Sequence, residues 1–170
     1  MLIKSRIVSV LKKLGISRGD TVLIHSDITP MIKYAGISWN KASDILKDSI
    51  FDVIGGQGTL VVPTFTPDFI SKKKYLHEKS TSNCGFFSNY ILFHLKSVRS
   101  FHPIHSFCAI GKNAQGLMKK VSKSSTGLNS VFDRLYKINS KILLFNYDSA
   151  DDAGTTFVHY VEQKKKVPVN

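Results

Sequence analysis

Residues 155–162, Thr-Thr-Phe-Val-His-Tyr-Val-Glu, place Thr156, His159 and Glu162 at three-residue steps. In a helix such steps put side chains on one face. The segment reads as a helix start, with Thr155 or Thr156 as the capping hydroxyl and Val158 and Val161 packing on the other side. A histidine beside a carboxylate is the smallest unit of general-base chemistry, because the carboxylate orients the imidazole and favours its protonated form. An ordinary surface helix with a polar i, i+3 pair has the same pattern, so the segment has to be read with the rest of the chain.

Three further clusters lie upstream: His25-Ser26-Asp27, the run GTLVVPTF at residues 58–65, and RSFHPIHSFCAIG at residues 99–111. In this order and at these separations the four segments resemble the aminoglycoside 3-N-acetyltransferase family. That family carries a His-Ser-Ser turn after its first strand, a Gly-Thr-Leu strand ending in Pro-x-Phe, an Arg-Ser-x-His-Pro-x-x-Ser block and a closing Thr-x-x-His-x-x-Glu. The resemblance covers nearly all of the chain. It implies a layered α/β sandwich with a mostly parallel central sheet, unrelated to the GNAT acetyltransferases. It also implies transfer of an acetyl group from acetyl-CoA, as co-substrate, to an amine on a sugar-like ring. An alkylammonium has no free lone pair, so such a site needs a base, donors for the thioester oxygen, and alignment of the two substrates.

Carried over residue by residue, the resemblance makes His159 the base, with Glu162 setting its tautomer or holding the incoming amine. A glutamate in the first turns of a helix is also favoured by the macrodipole, whatever its role. His25, Ser26 and Asp27 follow a strand end, where open α/β sheets place ligands. The resemblance puts this turn along the acyl-CoA cleft, its amides and the Ser26 hydroxyl facing the pantetheine arm or thioester oxygen. Asp27 stands where many relatives have serine; its carboxylate either assists the base and attracts the amine, or simply forms the turn. In the second block, Arg99 can grip phosphate through its planar fork, Ser106 can donate to pantetheine amides, and Pro103 fixes the loop. Ser100 and His102 belong to the same cofactor-binding block. Thr156 and its neighbouring amides offer an anion-friendly helix end, and Pro63 and Phe65 shape the cleft by apolar contact. His102 and His105 sit three apart like metal ligands, but no third ligand accompanies them, so no metal is expected.

The elements that must position these residues follow from periodicity. Ile3, Ile7, Val10, Leu11 and Leu14 repeat at helical spacing, and Gly15 is placed to stop that helix. Residues 21–25, TVLIH, read as a buried strand. Ser38 reads as an N-cap, and Ala42, Ile45, Leu46, Phe51 and Ile54 form an apolar stripe up to Gly55 and Gly56. Residues 58–62 make the next strand, closed by Pro63, which completes a strand-helix-strand unit. Residues 64–82 have no period and read as a long loop over the active face. Then come a helix near 86–96, a strand at 107–110, a helix over 113–121, a serine-rich loop running through 131–136, a last strand at 141–145, and a turn at Asp151-Asp152 before the final helix.

One domain over residues 1–170 is expected, since 42% hydrophobic content suits a soluble globular chain. No apolar run reaches the length that spans a membrane, and the start has no signal-peptide pattern, so cytoplasmic residence is expected. Cys84 and Cys108 lack paired spacing and read as free thiols. The 24 Lys and Arg against 12 Asp and Glu give a net charge of +12, which attracts anions. Two lysine runs, at 72–74 and 164–166, come without any RNA-binding signature, so no nucleic-acid partner is expected. Aminoglycosides are polycations, and a +12 surface opposes their approach. The expected acceptor is therefore the amine of an amino sugar, including a nucleotide-linked one for surface polysaccharide; antibiotic inactivation is the alternative within the same chemistry. Family members extend further at the C-terminal end, so this chain reads as short there. A truncated, non-catalytic relative or a basic binding module is the alternative of another class.

Overall fold

The structure is a computed structural model that describes residues 2–67, 69–72, 74–146 and 156–166. Its centre is β1 (Thr21–Ser26), whose first five residues are buried, as a strand covered on both faces must be. β2 (Thr59–Pro63) and β5 (Lys141–Phe145) flank it in parallel, with Thr21 opposite Thr59 and Ser26 opposite Phe145. β4 (Phe107–Gly111) runs antiparallel to β2, and the two-residue β3 (Val98–Arg99) runs antiparallel to β4, giving the order β3-β4-β2-β1-β5. The sheet is thus parallel across β2, β1 and β5 and reversed at β4. Residues 100–106 are too few for a crossover, so β3 and β4 pair as a hairpin. At the far end of β4, Gly111 has φ +126°, and a Cβ there would lie 2.3 Å from the Gly58 carbonyl oxygen, so no side chain is tolerated.

Strand alternation divides the core into two layers. Val22, Ile24, Leu60 and Val62 face α1 (Leu2–Lys13), α3 (Trp39–Ile54) and α5 (Phe86–Leu92). Leu23, Val61, Phe107 and Ala109 face α6 (Ala114–Met118), α7 (Val131–Lys137) and α8 (Phe157–Lys165). The Ser38 hydroxyl caps α3 by accepting the Lys41 N–H, and Gly55 ends it, as the stripe predicts. Two further helices were not visible in the periodicity: α2 (Thr29–Ala35), whose seven residues include Pro30 in the first turn, and the one-turn α4 (Phe69–Lys72) inside the long loop. α7 also replaces what reads in sequence as the tail of a serine-rich loop; Ser130 caps it by accepting the Asp133 N–H.

The stripe on α1 is only half right, since Leu11 is buried while Val10 and Leu14 are exposed. Both cysteines are free thiols, and burial pushes the Cys108 thiol up to about 11, which leaves it protonated and inert. No helix among the described residues is long and apolar enough to cross a membrane.

Candidate active site

The C-terminal ends of β1 and β2 open on one rim of the sheet, the rim where α/β folds place ligands. Because β4 starts where β2 ends, the hairpin loop at residues 100–106 returns to the same rim. Its backbone carries the ladder beyond β2: Thr64 N–H donates to Ser106 O at 2.8 Å and Thr66 N–H to Ile104 O at 2.9 Å. The topology therefore gathers His25, Ser26, Asp27 and the second motif block at one end of the sheet.

On α8 the Nδ1 of His159 lies 3.0 Å from Glu162 Oε2, with side chains 62% and 42% exposed. The opposite face of α8 is anchored by aromatics. Phe157 meets Phe132 edge-on at 5.4 Å, and the buried Tyr160 donates its hydroxyl to Asp133 Oδ1 at 3.0 Å. This corrects the expected packing: Val158 and Val161 are exposed, because the larger rings of Phe157 and Tyr160 take the inward face. Thr156 occupies the N-cap with helical backbone angles and makes no side-chain cap bond, so the expected hydroxyl cap is absent at that residue. Thr155 and the Asp151-Asp152 turn lie outside the described residues.

Asp133 ties α8 to α7. Burial raises its pKa, but bonds from Lys137 Nζ at 2.7 Å, the Asn129 N–H at 2.8 Å and Tyr160 outweigh this and hold it below the ordinary carboxylate value. A depressed folded pKa means that the stabilisation is present above the unfolded value near 3.9 and is lost as pH falls through the folded one. Asp133→Asn is expected to cost about 2 kcal/mol in urea unfolding at pH 7, with the difference from wild type shrinking towards pH 3. An undiminished difference at pH 3 would show that shape, not charge, is what Asp133 supplies.

The remaining predicted residues separate into two environments. His25 is buried, and desolvation lowers its pKa to about 4, so it is neutral at pH 7. Ser26 ends β1 and is partly exposed. The Asp27 carboxylate accepts the Thr29 N–H at 2.9 Å, the turn-forming arrangement that leads into α2. Arg99 is 7% exposed. Its Nη1 donates to His77 O at 3.0 Å and Ser80 O at 2.6 Å, its Nη2 to Thr64 O at 3.0 Å, and its Nε to Ser106 Oγ at 3.1 Å. The guanidinium also lies 5.2 Å from the Tyr75 ring. Ser106 Oγ donates to Thr64 O at 2.7 Å, and the Ser100 hydroxyl accepts the Phe107 N–H at 2.9 Å; both serines are fully buried. Arg99 and Ser106 thus fasten the 64–82 loop to the hairpin from within, and Ser100 closes the hairpin itself, where the sequence suggested outward contacts with CoA. The Pro103 carbonyl joins the same fastening, accepting from Thr66 Oγ1 at 2.5 Å.

One residue escaped the sequence reading. Ser125 Oγ sits 2.6 Å from His105 Nδ1 and 3.2 Å from His102 Nε2, between two partly buried imidazoles stacked 5.9 Å apart. Its position in a serine-rich loop, 20 residues from His105, gave no local signal. Among the described residues no group of three or more His, Cys, Asp or Glu is placed to hold a metal ion.

Comparison with known proteins adds a lineage to this geometry. The family model described as aminoglycoside 3-N-acetyltransferase matches residues 23–170. The SPbeta prophage-derived aminoglycoside N(3')-acetyltransferase-like protein YokD of Bacillus subtilis (strain 168) is 25% identical over 185 residues, covering 95% of this chain. The chain spans 65% of the length of YokD. The crystal structure of YokD superposes with a TM-score of 0.76 at 26% identity, covering 95% of this chain and 70% of that one. The aminoglycoside acetyltransferase AAC(3)-IVa in complex with apramycin gives 0.78 at 24% identity, covering 98% and 64%. AAC-IIIb in a binary complex with CoASH gives 0.76 at 16% identity, covering 94% and 64%. At those last two identities the likeness is one of fold.

Proposed function

Since the chain belongs to the aminoglycoside 3-N-acetyltransferase family, we propose that it transfers an acetyl group from acetyl-CoA to an amine of an amino sugar, with His159 as the general base. The observation that carries this reading is the His159–Glu162 pair at 3.0 Å, presented on the outer face of a helix whose inner face is clamped by Phe157 and Tyr160. With Nδ1–H directed to the Glu162 carboxylate, the Nε2 lone pair is left to take the proton of the attacking amine. His25, Ser26, His102, Pro103 and Thr156 are assigned to the acyl-CoA cleft. Arg99 and Ser106 serve it by holding the 64–82 loop that walls it, and Ser100 by closing the neighbouring hairpin. Asp27 acts through the turn into α2. A CoASH-bound relative of the same fold supports acetyl-CoA as donor.

For the acceptor, a net charge of +12 favours an anionic molecule, and a nucleotide-linked amino sugar combines the required amine with phosphate charge. A second reading, aminoglycoside acetylation, is favoured by the apramycin complex of AAC(3)-IVa. Calorimetry with acetyl-CoA followed by an acceptor panel separates these. The expected result is a Kd on the order of micromolar and faster turnover of a nucleotide-linked amino sugar than of apramycin. Preference for apramycin overturns the acceptor assignment and keeps the chemistry. A folded chain that ignores acetyl-CoA overturns the enzymatic reading and leaves a binding role.

A further inference from the structure

His102 fixes the protons of the cluster around Ser125. Its Nδ1 accepts the backbone N–H of His105 at 2.9 Å and of Ile104 at 3.2 Å, so that nitrogen carries no proton. A neutral imidazole in that state is protonated at Nε2, the atom 3.2 Å from Ser125 Oγ. Nε2 of His102 therefore cannot accept the serine proton. Among the described residues the acceptor left to the serine proton is His105 Nδ1, 2.6 Å away, and a neutral His105 that accepts at Nδ1 holds its own proton at Nε2.

We propose that Ser125 locks His105 as the imidazole protonated at Nε2, and that this N–H donates a hydrogen bond to the acyl oxygen as transfer proceeds beside His159. This rests on the acetyl-transfer reading above. His105 meets the requirements of such a donor. Its ring is oriented by Phe65, edge-on at 5.0 Å, and by the stacked His102. Among the described residues, no hydrogen-bond partner meets its Nε2. Burial lowers the pKa of His105, and the charges of His102 and His159 lower it further, so the neutral ring is the favoured form. His102 is likewise lowered by burial, against a smaller opposing effect of the Lys123 backbone. In the transfer, the amine nitrogen bonds to the acyl carbon and the carbon–sulfur bond breaks. His159 takes the amine proton, and the thiolate leaves and receives that proton from His159, which returns to its neutral form. His105 shares its N–H with the oxygen while negative charge builds there, then keeps the proton. A donor already aimed in the resting protein has no reorganisation to make during the reaction. His105 is thus a catalytic residue, and Ser125 and His102 are positioning residues.

Nitrogen-15 labelling of the histidine rings reads the tautomers directly. At neutral pH, wild type should show His102 and His105 both protonated at Nε2. Ser125→Ala should turn His105 into a tautomer mixture and leave His102 unchanged, and Ser125→Thr should restore the wild-type pattern. A wild-type His105 protonated at Nδ1, or one indifferent to Ser125→Ala, overturns the inference whatever the ligand does. Acetyl-CoA should then shift the His105 Nε2–H resonance, and His105→Ala should lower kcat by about 100- to 1,000-fold with a smaller effect on the KM for acetyl-CoA. Acetyl-CoA bound by calorimetry without any change at His105 overturns the donor role alone. Absence of acetyl-CoA binding overturns the acetyl-transfer reading and the donor role with it.

Discussion

Replacing His159 with alanine is expected to lower acetyl transfer by about 100- to 10,000-fold, the range lost when a positioned general base is removed. The same change should leave thermal stability within about 2 °C of wild type, because substitutions of exposed side chains rarely move stability by more than ~0.5 kcal/mol. His159 is 62% exposed, and among the described residues its side chain bonds only to Glu162, a partly exposed neighbour on its own helix. The two readouts thus separate: chemistry collapses while the fold persists. Glu162→Gln keeps a hydrogen-bond acceptor in place through the amide oxygen but removes the negative charge, so its expected loss is smaller, about tenfold. Turnover of the two variants, with a thermal melt of each, makes the measurement. A His159→Ala protein retaining more than about a tenth of the wild-type rate would remove this histidine from the base role.

What the sequence disclosed and what it concealed divide along the distance over which each feature is determined. The spacing of His159 and Glu162 is a property of one helical turn, so their meeting at 3.0 Å could be anticipated from the chain alone. The same holds for the central position of residues 21–25, whose apolar run suits only a strand covered on both faces. The reversed direction of β4 could not be read the same way. It is a pairing with β2 more than 40 residues away in sequence, and the adjoining β3 has two residues, too short to leave a periodicity. The inward face of α8 was misread because Val158 and Val161 and the pair Phe157 and Tyr160 are all apolar enough to be buried. The choice is made by Asp133 and Phe132 on α7, an element the sequence did not reveal. Arg99 illustrates the limit most clearly. A planar fork recognises a phosphate or a set of carbonyls equally well, and which it meets is settled by residues 19 to 35 positions away.

Arg99 also gives the largest expected effect on stability. Its guanidinium reaches the His77, Ser80 and Thr64 carbonyls and the Ser106 hydroxyl, so Arg99→Met takes the charged donor from the part-buried His77 and Ser80 carbonyls, while Thr64 O keeps its bond from Ser106 Oγ. A hydrogen bond from a charged donor is worth about 1.5–3 kcal/mol, so the loss of the two carbonyl partners left without another donor costs about 3–5 kcal/mol. At that cost the melting temperature of a chain this size should fall by roughly 10–15 °C. Arg99→Lys should recover only part, since one ammonium cannot span acceptors spread over the fork. Ser106→Ala should cost about 1–2 kcal/mol and couple non-additively with Arg99→Met, because the two side chains share the Thr64 carbonyl. The same variants decide whether Arg99 also touches the donor. If Arg99→Lys, measured where it remains folded, weakens CoA and phosphate-free pantetheine binding equally, the arginine acts by holding the 64–82 loop in place. A loss confined to CoA means that its charge reaches the phosphates even from inside the fold.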